Sequence, residues 1–400
     1  MLTVEEARRQ MLAHARRLEP EHVDIRAALG RVLAEPIVSR RVIPPWPSSS
    51  MDGYAVRAAD TTPAPAVLAV VGRVAAGMLS ETPVAAGQAV RIFTGAPLPP
   101  GADAVVPQEE VDADGDRIRV RRAVEPGAHV RPRGEDVRLG DRVLEPGRRL
   151  GAAEIGLLAT LGHSPVLVYR RPRVAVLSNG NELVDLGSEP GPGQIPNTNT
   201  YSLAAQVLEA GGEPVNLGVA PDDLGAIEAR LRWGRSADVL VTSAGVSVGE
   251  LDLVREALSR AGATLHLWQV AMRPGKPITF GTLGEQLVFG LPGNPVSAMV
   301  TFEIFVRPVL LQMSGLERLE RPRVTARAVG SIANPGRRRG YLRVSLARDA
   351  GGYTARLTGD QGSAILRSMV LADGLAVVPG DTVIADGDPV EVIVLREFEA

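Results

Sequence analysis

The chain has 400 residues, of which 45% are hydrophobic, 44 are Lys or Arg, 46 are Asp or Glu and none is cysteine. A chain of this length can bury more than one core, so we expect roughly two to four domains, and its balanced charge argues against a general nucleic-acid binder or a membrane-surface protein. The lack of cysteine excludes thiol catalysis, thiolate metal sites and disulfides.

The N-terminal residues lack the apolar core of a secretory signal, and no apolar run approaches the ~18 residues of a membrane span. A composition without cysteine is compatible with a reducing compartment. We therefore expect a cytoplasmic protein.

An amphipathic helix is predicted over residues 3–18, where Thr3 and Glu6 have the spacing of a capping box and apolar residues fall on one side. A second short helix near 24–29 precedes an extended arm over 31–43. The arm ends in a cluster of three prolines, which predicts a domain boundary.

Residues 66–120 are predicted to form a small β-barrel or sandwich, with strands over 66–71, 89–93 and 104–106. Asp52 lies on a tight turn in Ser-Ser-Ser-Met-Asp-Gly-Tyr, and Thr94 ends a later strand in Arg-Ile-Phe-Thr-Gly-Ala-Pro. By local chemistry alone, an ordinary Asp-Gly turn is the better explanation of the first motif.

Two cations and two acids are packed into Arg-Pro-Arg-Gly-Glu-Asp, which ends at Asp136. A solvated charge run explains this segment without any function. Residues 137–170 carry turns and a predicted helix over 152–161, and they could fold back on the N-terminal arm. That pairing would make residues 44–133 an insertion.

From residue 173 onward strands alternate with helices, which is the pattern of a doubly wound α/β domain. The loops 178–182 and 242–252 follow its first and third strands and should lie at the carboxyl edge of the sheet, where such folds bind ligands. Neither loop is a dinucleotide or Walker motif, and the five histidines show no metal-ligand spacing. The predicted strands are 174–177, 215–219 and 239–242, and the predicted helices are 200–210, 224–233 and 251–261.

Two rigid proline and glycine loops bracket a predicted hairpin between Arg273 and Pro295. The first loop, R-P-G-K-P, holds Arg273 and Lys276 three positions apart, which suits an oxyanion. The second loop opens a helix with Asn294 as its predicted N-cap, so free N–H groups should face the same ligand as Lys276. Taken alone, two rigid turns with a solvated Arg and Lys explain the loops equally well.

A small β-barrel is predicted to close the chain, with strands over 323–328, 341–346, 353–357, 375–378 and 390–395. Its candidates for chemistry are Arg343 on a strand and Ser363 in a Gly-Asp-Gln-Gly-Ser loop. Each is a weak signal alone.

Seven short motifs occur in order: S-M-D-G-Y-A, R-I-F-T-G-A-P, R-P-R-G-E-D, S-N-G-N-E-L, S-A-G-V-S-V-G-E-L-D, R-P-G-K-P and L-P-G-N-P-V-S-A. In order and spacing they resemble the MoeA family of molybdopterin molybdenumtransferases, which includes the gephyrin E domain. Each motif is a short turn, but seven in order over about 250 residues are specific in combination. The resemblance covers nearly the whole chain.

The resemblance implies a multidomain α/β plus β fold and an elongated homodimer with composite active sites. In that dimer the inserted domain of one chain faces the α/β domain of the other. Contact with other proteins of molybdenum cofactor synthesis is also implied, whereas no nucleic-acid or membrane partner is expected. The expected domains are an elongated N-terminal domain (1–43 and 134–170), an inserted mainly β domain (44–133), an α/β molybdopterin-binding domain (171–318) and a C-terminal β-barrel (319–400).

The resemblance further implies an enzyme that takes adenylylated molybdopterin and molybdate, releases AMP with the help of Mg²⁺, and leaves molybdenum on the pterin dithiolene. Such chemistry needs a phosphate cradle, a cationic pocket for a tetrahedral oxyanion and acids that hold Mg²⁺. By resemblance, the catalytic residues are Asp52, Thr94, Asp136, Glu182 and Asp252, and the metal ligands are Glu182, Asp222 and Asp252. The phosphate or pterin cradle is formed by Gly245, Ser247 and Gly249, and the molybdate pocket by Arg273, Lys276, Arg343 and Ser363. Pro292 and Pro295 shape the loop at the edge of the site.

Several positions depart from the pattern of bacterial members. Gln269 and Asn181 stand where a lysine and an aspartate are usual, Leu253 and Ala244 where tyrosine and glycine are common, and Arg273 replaces a lysine with its charge kept. These changes leave open a catalytically altered paralogue that binds pterin or acts as a scaffold, although the acids that remain favour catalysis. A tungstate-inserting enzyme is also open, because the two oxyanions are nearly equal in size and charge.

Overall fold

The computed structural model describes residues 1–244 and 253–396, with the backbone only at Leu267 and Trp268. The chain divides into two compact units. The finer domain limits implied by the family resemblance stay predictions. The larger unit comprises Met1–Ala34, Gly147–Ile155 and Pro165–Ala400, and the smaller unit comprises Glu35–Pro146 and Gly156–Ser164.

The smaller unit is built on a six-stranded sheet that is buried on both faces. Ala55 and Val56 are neighbours in one strand but belong to two different apolar clusters, because successive side chains of a strand point to opposite faces. The predicted all-β character of this region is therefore confirmed. In spatial order the strands are Ala104–Pro107, Gly53–Val56, Gln88–Ile92, Ala66–Val74, Arg117–Val120 and Val111–Asp114.

Short strand pairs in the smaller unit bring separate sequence motifs together. Ser48–Ser49 pairs with Val130–Arg131, and the Ser49 N–H donates to the Ala96 carbonyl at 3.0 Å. Ile37–Val38 pairs with Arg142–Leu144 further along the same two segments. The motifs around Asp52, Thr94 and Asp136 therefore belong to one continuous arrangement of backbone.

The larger unit begins with the helix Val4–His14, in which Thr3 and Glu6 form the predicted capping box. The helix ends four residues before the predicted limit of residue 18. The reason is tertiary, because the Leu18 N–H donates to the Met313 carbonyl at 2.9 Å instead of continuing the helix. After the helix, Pro20–Val23 pairs antiparallel with Val166–Tyr169.

A six-stranded mixed sheet forms the centre of the larger unit. In spatial order the first four strands are parallel, the fifth runs antiparallel to them and the sixth runs parallel to the first four, so the predicted hairpin, formed by the fourth and fifth strands, lies one strand in from the edge. The edge strand Thr264–Gln269 was not predicted, although Thr-Leu-His-Leu alternates polar and apolar residues as a strand does. In spatial order the strands are Glu213–Ala220, Arg173–Asn179, Val239–Ser243, Gln286–Leu291, Pro277–Leu283 and Thr264–Gln269.

Helices cover both faces of this sheet, as the doubly wound pattern predicts. One core contains Val174 and Val176 of the first parallel strand, and a second core contains Ala175 and Leu177 of the same strand. Asn199–Glu209 and the helix Pro295–Met313 pack in the first core, whereas Leu224–Trp233 and Leu253–Arg260 pack in the second. The α/β class is confirmed.

The helix Pro295–Met313 is long and apolar enough to cross a membrane by length and composition alone, which corrects the expectation that no such run exists. Of its most apolar window, 83% is buried inside the protein. Its middle turn, Phe302–Val306, has π-helical hydrogen bonding. Burial of this extent is typical of the core helix of a globular domain.

The C-terminal region is a closed five-stranded barrel. Arg339–Asp349 closes it by pairing with both Gly352–Leu357 and Gly374–Val378. Met272–Arg273, which opens the R-P-G-K-P loop, pairs with Arg339 and Gly340 and so attaches that loop to the barrel. The other barrel strands are Arg323–Ala328 and Pro389–Val394, and the small additions are the pair Ile332–Asn334 with Thr382–Ile384 and the helix Arg367–Val370.

Candidate functional site

Asp52 and Thr94, two predicted site residues of the smaller unit, are in direct contact. The Thr94 N–H donates to Asp52 Oδ1 at 2.8 Å, and the Thr94 hydroxyl donates to the same atom at 2.7 Å. These two bonds, the backbone one first, lower the pKa of Asp52 from its ordinary value. The next residue must be glycine, because a Cβ on Gly53 would lie 2.1 Å from the Val106 carbonyl oxygen.

Asp136, the third predicted residue of this unit, lies elsewhere. Its N–H donates to the Ile43 carbonyl at 3.0 Å. The segments around Ser49 and Val130 pair at one end, and Ile43 pairs with Val137 at the other end, which is where Asp136 lies. The side chain is exposed, and within residues 1–244 and 253–396 it has no hydrogen bond or ion pair. The smaller unit thus brings Asp52 and Thr94 together and keeps Asp136 apart from them.

In the larger unit, Asp222 and the loop after the first parallel strand form a closed arrangement at the carboxyl edge of the sheet. Asn181 donates its N–H to Asp222 Oδ2 at 3.2 Å and accepts the Asp222 N–H at 3.0 Å, and Asn179 Nδ2 reaches Asp222 Oδ1 at 3.3 Å. Asn181 is therefore a loop-closing residue in this protein.

Glu182 belongs to the same loop and is exposed. Its carboxylate lies over Gly180, where a Cβ would meet Glu182 Oε2 at 2.3 Å. Among the described residues the Glu182 side chain has no hydrogen-bond or ion-pair partner. Glu182 and Asp222 thus place two carboxylates at one edge of the sheet, both available to a ligand.

The predicted phosphate cradle and the last predicted acid, namely Gly245, Ser247, Gly249 and Asp252, lie outside the described residues. The preceding residue, Ala244, has a left-handed backbone with φ 78°, which an alanine adopts at a cost on the order of 1 kcal/mol. A glycine would adopt it freely, so the structure gives a physical reason for the glycine that is common at this position.

Asn294 and Ser363, from the α/β domain and the barrel, are in contact. Asn294 Nδ2 donates to Ser363 Oγ at 3.0 Å, and the Val296 N–H donates to the Ser363 carbonyl at 3.1 Å. Pro295 occupies the start of the helix as predicted, and Pro292 is buried before it. However, Asn294 makes no side-chain cap, and the Val296 N–H is occupied by the barrel loop, so the expectation that this helix start is free for an anion is wrong at Val296.

Arg343 is fully buried on a barrel strand, and no carboxylate of residues 1–244 or 253–396 bonds to it. Its Nε donates to Ser368 Oγ at 3.1 Å and its Nη2 donates to the Gly362 carbonyl at 3.0 Å, whereas Nη1 is buried with no hydrogen-bond partner. Burial lowers the pKa of Arg343 to about 10, the charge of Asp360 opposes this shift, and the charge of Arg273 adds to it. The guanidinium is therefore a cation with unused donors beside a second cation.

Arg273 and Lys276 lie on the R-P-G-K-P loop that attaches to this barrel. Arg273 Nη1 reaches only the Pro335 carbonyl, at 3.4 Å, and the Lys276 ammonium has no partner in the part of the chain that the structure describes. The loop packs tightly, because a Cβ on Gly275 would lie 2.4 Å from Thr301 Oγ1. Arg273 lies close enough to act on Arg343, Lys276 is on the same rigid loop as Arg273, and none of the three has a bonded carboxylate among the described residues, which favours a small oxyanion as ligand.

The sequence contains one further indication of a special role for Lys276, which the motifs did not reveal. Lys276 is the only lysine of the chain, and all other basic side chains apart from the histidines are arginine. Position 276 is thus the one place in the sequence where the basic side chain is a compact ammonium. Ser368 and Gln361, which hold Arg343 through its Nε and its backbone, were also missed, and no local pattern marks Ser368.

Three family models match the chain along its length. They are the MoeA N-terminal region (domain I and II) over residues 2–162, the probable molybdopterin binding domain over 175–312, and the MoeA C-terminal region (domain IV) over 325–395. A protein named molybdopterin molybdenumtransferase from Nostoc sp. is 39% identical over 94% of this chain and 89% of its own length. The chain belongs to the MoeA family.

Other MoeA relatives agree over the whole length. Molybdopterin molybdenumtransferase 2 of Mycobacterium tuberculosis is 38% identical over 98% of this chain and 99% of its own. The crystal structure of the molybdopterin biosynthesis MoeA protein from Pyrococcus horikoshii OT3 superposes with a TM-score of 0.84 at 32% identity, covering 98% of this chain and all of that one. The multidomain fold predicted from the sequence is therefore confirmed as the MoeA fold.

The MoeA resemblance implies Mg²⁺, and the two carboxylates at the sheet edge fit such an ion. Magnesium in phosphate-transfer sites usually takes one or two protein carboxylates and completes its shell with water and phosphate oxygens. Glu182 is free, and each oxygen of Asp222 keeps lone pairs beyond its one hydrogen bond. No cluster of three or more acidic, histidine or cysteine side chains occurs within residues 1–244 and 253–396, so a metal ion held here would take most of its ligands from water and phosphate.

Proposed function

We propose that this chain is a molybdopterin molybdenumtransferase, which transfers molybdenum from molybdate to adenylylated molybdopterin and releases AMP in molybdenum cofactor biosynthesis. The names of the relatives from Nostoc and Mycobacterium tuberculosis support the activity over nearly the whole chain. The match of residues 175–312 to the molybdopterin binding domain supports the pterin substrate.

The observation that supports the proposal most directly is that Arg343 Nη1 is buried without a hydrogen-bond partner among the described residues. A buried guanidinium with no bonded carboxylate is costly unless an anion completes it. Nη1 has no partner within residues 1–244 and 253–396, and Arg273 is close enough to lower the pKa of Arg343. Molybdate is a tetrahedral dianion, and its oxygens would accept from Arg343, Arg273 and Lys276.

Ser363 has a different task in this mechanism. Its hydroxyl and carbonyl oxygens hold the helix start through Asn294 and Val296, so it fixes the barrel loop that shapes the pocket. Pro292 and Pro295 stiffen the other wall. The oxyanion would therefore bind between a loop of the α/β domain and a loop of the barrel. Hydrogen bonds already join these two loops in the protein without ligand, so the pocket is preorganised.

The phosphates of the substrate are expected at the carboxyl edge of the parallel strands. Glu182 and Asp222 would hold Mg²⁺ there, and the ion would supply positive charge that offsets the charge developing on the phosphate oxygens as AMP leaves. In the cleavage the phosphoanhydride P–O bond breaks, its electron pair stays on the departing phosphate oxygen, and a water oxygen forms the new P–O bond while the water gives up a proton. The two acids position the phosphates for this step.

Asp52 is the candidate proton acceptor for that nucleophile, because Thr94 orients its ionised carboxylate, although the lowered pKa makes it a weaker base. In this proposal the protein is a cytoplasmic homodimer, and Asp52 and Thr94 of one chain serve the α/β domain of the other. Asp136 contributes to the same composite site.

The test is AMP release from adenylylated molybdopterin by the purified protein, with Mg²⁺ and with molybdate, tungstate or neither. The proposal predicts release that depends on molybdate and falls when Mg²⁺ is chelated. Release with tungstate alone would make the enzyme a tungsten transferase. No release with either oxyanion from correctly folded protein would overturn the proposal and favour a scaffold.

A further inference from the structure

Asn199 opens the helix Asn199–Glu209 beside the carboxyl edge of the sheet and is only 8% exposed. Its Nδ2 donates to Ser243 Oγ at 2.6 Å and to the Gly293 carbonyl at 2.7 Å. The Gly293 carbonyl can only accept, so the amide nitrogen must face it, and the orientation of the side chain is fixed. Both donors of the amide are thus used to tie the ends of two neighbouring parallel strands together.

The amide oxygen of Asn199 faces away from these bonds. Oδ1 is buried, and among the described residues no group donates to it. Buried polar atoms are paired in the large majority of cases, and leaving one unpaired costs free energy that a donor from a ligand would restore. Asn199 therefore holds one unused, buried acceptor beside the carboxyl edge of the sheet, where α/β folds bind ligands.

The surroundings of Asn199 hold it in one position. Asn197 Oδ1 accepts the Thr200 N–H at 3.3 Å, and the hydroxyls of Ser178 and Thr200 share a hydrogen bond of 2.8 Å. The first turn of the helix is thus fastened to the first parallel strand. An acceptor on such a rigid support is preorganised for binding.

We propose that Asn199 Oδ1 accepts a hydrogen bond from a ring or amino N–H of the substrate heterocycle. This inference rests on the proposed function. Molybdate and ionised phosphates have no N–H and bind through cations, so they cannot satisfy this acceptor, whereas both the pterin and the adenine of adenylylated molybdopterin carry N–H donors. Asn199 therefore recognises the heterocycle, and Arg273, Lys276 and Arg343 recognise the oxyanion.

The test measures the dissociation constants for molybdopterin, AMP, free adenine and molybdate in the wild type and in Asn199→Ala. Loss of one neutral hydrogen bond is expected to weaken binding of the recognised heterocycle about three- to tenfold and to leave molybdate binding within twofold of the wild type. Weaker molybdopterin binding identifies the pterin as the ligand of Oδ1, and weaker binding of both AMP and free adenine identifies the adenine.

Two further variants separate recognition from folding. Ser243→Ala removes one acceptor of the Asn199 amide nitrogen and keeps Oδ1, so heterocycle binding should stay within twofold. Asn199→Ser keeps a hydroxyl that can donate to Gly293 and removes the amide oxygen, so it should behave like Asn199→Ala even if the latter unfolds. Unchanged binding of both heterocycles in folded Asn199→Ser would overturn the inference, whereas a wild type that binds neither heterocycle would overturn the proposed function instead.

Discussion

Arg343 and Arg273 are neighbouring cations with no bonded carboxylate among the described residues, and this arrangement is unfavourable for the free protein. Like charges at short range disfavour one another, and burial adds a desolvation cost at Arg343. An oxyanion reverses both effects because it supplies charge and hydrogen-bond acceptors together. The site therefore gives up stability in the empty protein and regains it on binding.

Lys276→Ala should weaken molybdate binding by about 1.5–3 kcal/mol, or roughly 10- to 150-fold, because it removes a charge-assisted contact from a loop whose fold does not depend on that charge. Arg273→Ala should have a milder effect. Isothermal titration with molybdate measures both. Unchanged affinity in Lys276→Ala would mean that the pocket lies elsewhere.

The single lysine allows a sharper version of this measurement. An amine-reactive label can modify only Lys276 and the N-terminal amine. Molybdate should protect Lys276 from labelling, whereas the N-terminal amine, which is distinguished by peptide mass analysis, serves as the internal control. Lys276→Arg should not restore full affinity, because a planar guanidinium differs in shape from a compact ammonium.

Thr94→Val tests the electrostatics of Asp52. It removes the hydroxyl donor and leaves the backbone N–H, which is the larger cause of the lowered pKa, so the pKa of Asp52 should rise part of the way to its ordinary value. A pH titration followed by NMR measures this. Because the folded-state pKa is depressed, ionised Asp52 favours the folded state at higher pH, and this contribution is lost as the pH falls through that pKa. A lower pKa in Thr94→Val would contradict the assignment.

At the scale of elements, sequence patterns predicted the helices and strands well where period and turn signals agreed. The helix Leu224–Trp233 and the barrel strand Arg323–Ala328 have the predicted limits. The patterns failed where tertiary contacts decide, as at Leu18, whose bond to Met313 ends the first helix, and at Val296, whose N–H meets a barrel loop 67 positions later at Ser363. No local signal encodes such contacts.

An ion cluster on the helix Pro295–Met313 also depends on tertiary structure. Glu303 is 7% exposed, and its two oxygens accept from Arg321 Nε at 2.8 Å and Nη2 at 3.2 Å. Arg321 Nη1 in turn donates to the Leu395 carbonyl at 2.7 Å, which joins the helix to the barrel. The cluster thus connects the core helix to the domain that carries Arg343.

Glu303→Gln should lower the free energy of unfolding by about 3–5 kcal/mol, because it leaves buried arginine charge without its partner. Glu256→Gln is the matched control, since it breaks the exposed helical pair with Arg260 and should cost less than about 1 kcal/mol. Urea denaturation measures both variants. Equal effects would mean that the Glu303 cluster contributes no more than a surface pair.

At the scale of the whole molecule, the family and the multidomain architecture could be predicted because seven motifs keep their order along the chain. Distances between motifs could not be predicted, because they depend on long-range pairing. Asp52 and Thr94 meet across 42 positions, whereas Asp136, which belongs to a motif of the same kind, lies at the far end of a strand ladder. The free amide oxygen of Asn199 likewise appears only once the chain is folded.

The proposed homodimer predicts complementation between inactive variants. Asp52→Ala and Asp252→Ala proteins, mixed under conditions that exchange subunits, should form heterodimers with one intact site, because each variant supplies the acid that the other lacks. Activity per heterodimer should recover to at most about half of the wild-type value on this two-site symmetry. If native mass spectrometry shows heterodimers and activity stays at the level of the single variants, both acids serve one chain.

The central claim is that the unpaired cations around Arg343 bind the oxyanion that drives AMP release. The most direct measurement is the rate of AMP release against molybdate concentration for the wild type and Arg343→Gln, with thermal unfolding as the control for folding. We predict that Arg343→Gln needs at least about tenfold more molybdate for half-maximal release, since a charge-assisted contact is lost. The same molybdate dependence in a folded variant would contradict the claim.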